Sequence, residues 1–362
     1  MTEKQAIIFE NLKTNPLHKA SVPGIQKVGI IGEGKMGSGI LNYLLDFNYD
    51  LVWVCSSGAD AGKIKRQLDK KIKRSLDAGI IDQMQYEKHL VTSVSSGLTV
   101  LTDCDLIIEA VPEIVELKKS LFSQLDNIVK STTIFASNSS SIKPSEMAPI
   151  GDRSGKFTGL HFFYPVSLKN IVELTISPDT TEQTLEIAKS FLTSIRKRFI
   201  TLEEQAGFML NRIFLDIQNE AFLIVQSGQC TCLQMDQLVK KYLFPFGIFD
   251  FCDSVGLDTM LSSIENYTKH YQDKSSYKQF IAALFSLVSQ GNLGVKTRQG
   301  FYRYPLEETV VDEPASAAEI VSHLHRTWVS ASARFAAQAK ITTEDANFAV
   351  LEYFDVSKGP FE

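Results

Sequence analysis

Short apolar runs alternate with longer amphipathic stretches through the N-terminal part of the chain. Lys27 to Gly32, Leu51 to Val54, Leu106 to Val111, Thr133 to Ala136, Gly159 to Phe163 and Ile171 to Ile176 are the short runs. They are apolar on successive positions, as strands covered on both faces of a sheet are, and so predict buried strands. Met36 to Phe47 and Leu117 to Val129 carry apolar residues at helical spacing. Residues 61–90, rich in Lys, Arg, Leu and Ile, predict one long helix, a break near Gly79 and a second helix. Strands alternating with helices imply an α/β domain built on a doubly wound, mostly parallel sheet, spanning 25–204 with a helical hairpin inserted near 61–90. From Gly207 the strand signals fade and helical spacing takes over, which predicts an all-α domain over 205–362 with a further amphipathic helix at 318–340. Residues 1–24 read as an extension ending at Pro23-Gly24.

Composition narrows the class. Hydrophobic residues make up 44% and charged residues 22% of the 362 residues, as expected of a globular chain with cores large enough for two domains. A net charge of −5 gives no reason to expect binding to a phosphate backbone, so nucleic acid is not an expected partner. The cysteines (Cys55, Cys104, Cys230, Cys232, Cys252) are odd in number and scattered, which suits reduced thiols in the cytoplasm. Cys230-Thr231-Cys232 lacks a second pair at zinc-site spacing, so no metal is expected. No run reaches the roughly 18 apolar residues needed to span a bilayer, so no membrane association is expected either.

Gly32-Glu33-Gly34-Lys35-Met36-Gly37 is a G-x-G-x-x-G following a strand and opening a helix. The first glycine allows a tight turn, the second lets backbone approach a pyrophosphate, and the third lets helix pack on strand, while the helix N-terminus offers free N–H groups. Gly32, Gly34, Lys35, Met36 and Gly37 are therefore candidate dinucleotide contacts in a Rossmann-type domain. The acidic residue that would hold the adenosine ribose, about 20 positions on, is Cys55, followed by Ser56 and Ser57. NAD is the expected cofactor; NADP remains open, with Ser56, Ser57, Lys63 or Arg66 as contacts for its 2′-phosphate.

Gly159-Leu160-His161-Phe162-Phe163-Tyr164-Pro165, with Val172-Glu173-Leu174 downstream, resembles the catalytic signature of the 3-hydroxyacyl-CoA dehydrogenase family. The resemblance covers roughly residues 26 to 304. It takes in the glycine loop, Leu106 to Glu113, Ser137-Asn138-Ser139-Ser140, Gly207 to Arg212, Asp253-Ser254-Val255-Gly256-Leu257-Asp258 and Gly300-Phe301-Tyr302. It implies an NAD(P)-dependent oxidoreductase interconverting (S)-3-hydroxyacyl and 3-oxoacyl thioesters. His161 would be the general acid/base, and a histidine titrates in the right range for that role. Glu173, a carboxylate inside an apolar strand, needs a partner, and the resemblance makes it His161. It also implies that Ser137 bonds the substrate's 3-oxygen, that Asn211 orients the acyl group, and that Ala110, Val111, Glu113, Lys118, Asn138, Tyr164 and Lys296 stand on the cofactor side. The hairpin at 61–90 falls where the family binds its acyl carrier; Lys63, Arg66, Lys70 and Arg74 would line one of its faces, toward CoA, toward an acyl carrier protein, or simply toward solvent. A homodimer through the helical domain is implied as well.

The chain departs from the family pattern in places. Tyr164 replaces an asparagine, Arg298 a glycine, and Phe244-Pro245-Phe246-Gly247 differs from the usual Pro-Met-Gly-Pro. With Cys55, these changes predict retained chemistry and altered substrate or cofactor preference. A non-catalytic relative is the alternative of another class, against which stands the complete set Ser137, His161, Glu173 and Asn211. A hydroxyacid dehydrogenase with a lysine base would need a glycine-rich catalytic loop that is not found.

Overall fold

Strand order and register decide which side chains meet at the edge of the sheet. The computed structural model describes residues 24–362 apart from 57, 91, 205–207, 269–274 and 307–308. The expected extension at 1–24 thus lies almost wholly outside the described residues. The sheet holds β1 (Lys27–Ile31), β2 (Asp50–Val54), β3 (Ser93–Ser95), β4 (Leu106–Glu109), β5 (Ile134–Ser137), β6 (Phe157–Phe162), β7 (Ile171–Ile176) and β8 (Arg198–Glu203), in the order β3-β2-β1-β4-β5-β6-β7-β8. β1 to β6 are mutually parallel, β7 runs antiparallel to β6, and β8 is parallel to β7. The order reverses at β1, between β2 and β4, where open α/β sheets bind their ligands.

Alternation along the strands sorts side chains to two faces. Val28, Ile30, Leu51, Trp53, Leu106, Ile108, Ala136, Leu160 and Phe162 face one core with α1 (Lys35–Leu44) and α2 (Ala61–Asp77). Ile31, Val52, Val54, Ile107, Phe135 and Phe157 face the other, with Phe122 and Leu125 of the helix that follows β4. That second face changes character at the carboxyl ends of the strands. Its next positions are Glu109 on β4, Ser137 on β5 and His161 on β6, with Glu173 opposite on β7. Side-chain alternation therefore gathers the polar groups onto one face at one edge.

Further helices of this unit are α3 (Gln83–Leu90), α4 (Val115–Asp126), α5 (Pro144–Met147) and α6 (Glu182–Ser194). The helix pair at 61–90 is present, the first helix capped by the Asp60 side chain, which accepts from the Lys63 N–H. Lys63, Arg66, Lys70 and Arg74 are all exposed. β3, β8 and α6 were not foreseen. β3 has a single apolar residue, and β8 alternates as an edge strand between exposed and buried positions.

A second compact unit begins at Phe208. It is built of α7 (Met209–Gln226), α8 (Cys232–Tyr242), α9 (Ile248–Val255), α10 (Leu257–Thr268), α11 (Lys278–Ser289), α12 (Ala317–Ala339) and α13 (Thr343–Phe354). Phe214, Phe244, Phe354 and Trp328 meet in its core, Phe244 and Trp328 edge to face at 5.1 Å. Asp253 explains two sequence motifs at once: its carboxylate accepts the Phe301 and Tyr302 N–H groups at 3.0 Å and the Tyr304 hydroxyl at 2.9 Å. A Cβ at Gly300 would stand 2.0 Å from that carboxylate, so glycine is required there.

Candidate active site

His161 and Glu173 are register partners on antiparallel β6 and β7, so their side chains leave the same face directly opposite one another. His161 Nδ1 lies 2.8 Å from Glu173 Oε2. Glu173 is fully buried and His161 is 5% exposed, so the pair is largely withdrawn from water. A carboxylate only accepts, so Nδ1–H donates to it. The Phe163 ring packs 4.4 Å from the imidazole. His161 lines a cavity of about 240 Å³ together with Met36, Ala110, Val111, Glu113, Lys118, Asn138, Ser140, Phe162, Phe163 and Tyr164. Met36 stands at the start of α1, so this cavity joins the end of the glycine loop to the histidine.

The loop itself has the build of a phosphate cradle. Gly32 has φ +117°, and a Cβ there would meet the Ala110 carbonyl at 2.5 Å; one on Gly37 would meet the Gly32 carbonyl at 2.2 Å. Those two glycines are demanded by the protein itself. Gly34 is not, since a Cβ there would meet no protein atom within 4 Å, and its absence leaves room for something outside the chain. Gly34 also caps α1 without any side-chain hydrogen bond, so the first N–H groups of the helix face outward for an anion, and Lys35 beside them is exposed. These residues fit a dinucleotide pyrophosphate.

Behind the cavity lies a buried charge network that the sequence only half disclosed. Lys118, a residue type that is usually solvated, is 1% exposed and donates to Glu109 Oε1 at 2.6 Å, with Glu113 Oε2 at 3.3 Å. Glu109 also accepts from the Val111 N–H at 2.7 Å and from the Ser137 hydroxyl at 2.6 Å. Burial pushes its carboxyl up, against the pull of Lys118. Glu113 is held below its ordinary value: desolvation, the largest single influence, raises it, but Lys118 and the Ser139 and Ser141 hydroxyls together outweigh that. Glu113 Oε1 accepts from the Ser140 and Ser141 N–H groups at 2.9 Å and from the Ser139 hydroxyl, so it shapes the serine loop.

Two of the expected site residues are buried. Ser137, expected on the substrate's 3-oxygen, is 1% exposed, is absent from the cavity wall, and has its hydroxyl committed to Glu109. The serine that lines the cavity with His161 is Ser140, three residues on, where the loop has turned outward. Cys55, expected at the ribose, is 3% exposed and packs in the apolar layer with Trp53 and Leu68; burial pushes its thiol up to about 11. The exposed residue after β2 is Ser56. Asn138 has a positioning contact as well, its side-chain carbonyl accepting the Phe162 N–H at 2.9 Å, next to His161.

Asn211 and Lys296 belong to the helical unit. Asn211, in the first turn of α7, donates to the Tyr267 hydroxyl at 2.9 Å and accepts from the Tyr353 hydroxyl at 2.8 Å. Lys296 is half exposed and pairs with Asp258 at 2.5 Å. Among the described residues no group of three or more His, Cys, Asp or Glu side chains is arranged to hold a metal ion. No described helix is long and apolar enough to cross a membrane.

Comparison with known proteins bears on the same residues. The 3-hydroxyacyl-CoA dehydrogenase NAD binding domain matches residues 27–205, and the C-terminal domain of the same family matches 207–304. The chain is 33% identical over 285 residues to the 3-hydroxybutyryl-CoA dehydrogenase of Bradyrhizobium diazoefficiens, an alignment covering 77% of this chain and 96% of the relative. It is 31% identical over 289 residues to the mitochondrial hydroxyacyl-coenzyme A dehydrogenase of Rattus norvegicus, covering 77% and 91%. The crystal structure of (S)-3-hydroxybutyryl-CoA dehydrogenase from Ralstonia eutropha superposes with a TM-score of 0.70 at 31% identity, over 78% of this chain and all of the other.

Proposed function

The chain belongs to the 3-hydroxyacyl-CoA dehydrogenase family, and from that premise we propose that it interconverts an (S)-3-hydroxyacyl-CoA and the corresponding 3-oxoacyl-CoA with NAD(H), His161 acting as general acid and base. The observation that carries the reading is the His161–Glu173 pair, 2.8 Å apart and buried, opening onto a cavity whose wall includes the start of the glycine-loop helix. The nicotinamide, when bound, takes up or releases the hydride.

The chain's own residues do the rest. Nε2 of His161 accepts the proton of the substrate's 3-hydroxyl in the oxidative direction and returns it to the 3-oxygen in the reductive one. Glu173 keeps the proton on Nδ1 and stabilises the imidazolium that forms, in the manner of other His–carboxylate pairs. Ser140 takes over the role expected of Ser137, its hydroxyl bonding the 3-oxygen from the same cavity wall. Asn211 is assigned to the acyl group by family resemblance, with Tyr267 and Tyr353 fixing the rotation of its amide. The exposed row Lys63, Arg66, Lys70 and Arg74 on α2 suits the phosphates of CoA.

Following nicotinamide absorbance with purified protein and acetoacetyl-CoA tests the reading. Turnover is expected. No turnover with any 3-oxoacyl thioester, by a chain that binds the cofactor, would contradict it and favour the non-catalytic relative.

A further inference from the structure

A carboxylate does stand near the end of β2, carried by another element. Glu33, between the first two glycines of the loop, reaches across to Ser56: its Oε2 accepts the Ser56 N–H at 2.9 Å and its Oε1 the Ser56 hydroxyl at 2.5 Å. The loop and strand end are locked together by the Gly32 N–H donating to the Val54 carbonyl at 2.8 Å. Glu33 is therefore clamped at the carboxyl end of β2, where a Rossmann domain ordinarily carries the acid that binds the adenosine ribose. It is exposed, so a ligand can reach it. Two of its lone pairs are used by Ser56, and a carboxylate has about four. Its carboxyl is held below the usual value, chiefly by the Ser56 hydroxyl, and so is charged at neutral pH.

We propose that Glu33 is the residue that selects NAD over NADP: its carboxylate accepts the ribose hydroxyls in place of the absent acid after β2, and its charge repels a 2′-phosphate. The same contacts count against a phosphate site made of Ser56, because both Ser56 donors are already committed to Glu33. Glu33 and Cys55 are thus two halves of one arrangement. The acid stands on the glycine loop, and the position at the strand end is apolar and buried.

The inference rests on the reading of the chain as a nicotinamide-dependent dehydrogenase, so its test measures binding separately from turnover. NADH and NADPH are titrated by fluorescence against the full chain, wild type, Glu33→Gln and Ser56→Ala, with kcat/KM for both cofactors on acetoacetyl-CoA in parallel. Wild type is expected to bind NADH more tightly, by about tenfold or more. Glu33→Gln is expected to shrink that preference about tenfold, weakening NADH and strengthening NADPH, at unchanged melting temperature. Ser56→Ala, which removes one of the two anchoring contacts, should shift it the same way by less. A wild type that prefers NADPH, a preference untouched by Glu33→Gln, or binding of neither cofactor would overturn the assignment. The expected binding preference without turnover would support it while sinking the dehydrogenase reading.

Discussion

Ser137 and Ser140 stand three residues apart and in different settings, the first buried against Glu109 and the second on the cavity wall. Ser137 satisfies Glu109 Oε2 in a fully buried setting, so Ser137→Ala should leave an acceptor unpaired and cost about 1–3 kcal/mol of stability, read as a lower midpoint in urea, with kcat/KM changed little. Ser140→Ala should do the reverse, lowering kcat/KM about tenfold or more at unchanged stability. Equal kinetic losses would return the role to Ser137. Glu173→Gln keeps the volume but allows an amide N–H to face Nδ1, which favours the wrong tautomer; kcat should fall on the order of 10²-fold or more with KM for the cofactor little changed. The pairing of His161 with Glu173 was legible only through the family resemblance, since a carboxylate inside an apolar strand signals that it needs a partner without saying which. Which serine lines the cavity was not legible, since Ser137-Asn138-Ser139-Ser140-Ser141 says nothing about which hydroxyl turns outward. Nor was the burial of Lys118, which depends on two glutamates brought to it by the chain's fold.

At the scale of elements, the turn from β1 into α1 separates fold from function. Gly37→Ala would place a methyl against the Gly32 carbonyl and should destabilise the domain by several kcal/mol, seen as a lost or broadened thermal transition. Gly34→Ala meets no protein atom and should leave the melting temperature within about two degrees, while weakening cofactor binding about tenfold or more by filling the approach to the pyrophosphate. Similar melting losses in both would mean that Gly34 serves only the turn. The long apolar strands and the glycine loop could be read directly because burial on both faces leaves an unbroken apolar run. β3 and β8 escaped because short or edge strands carry too little periodic signal. Glu33 escaped for another reason: its reach to Ser56 depends on how the loop and the end of β2 come together, which the glycine spacing does not show.

For the molecule as a whole, the family's C-terminal domain ends at residue 304, yet the chain continues through α12 and α13. That added segment is part of the helical unit's core. Trp328 is 3% exposed and packs against Phe244 and Phe354, with Ile320, Leu324 and Phe335 buried along the same helix. Trp328→Ala should cost about 3–5 kcal/mol, measured by urea unfolding. A loss under about 1 kcal/mol would show the segment to be an appendage. Tyr353, from the same segment, reaches Asn211, so the continuation beyond the shared family domain touches a residue proposed to orient substrate.

In the proposed reaction His161 moves the proton. The most direct test compares kcat for acetoacetyl-CoA reduction in wild type and His161→Ala, after cofactor titration has shown that both bind the dinucleotide. A loss of about 10²- to 10⁴-fold with cofactor affinity retained is expected; turnover in the variant equal to wild type would rule out proton transfer by His161.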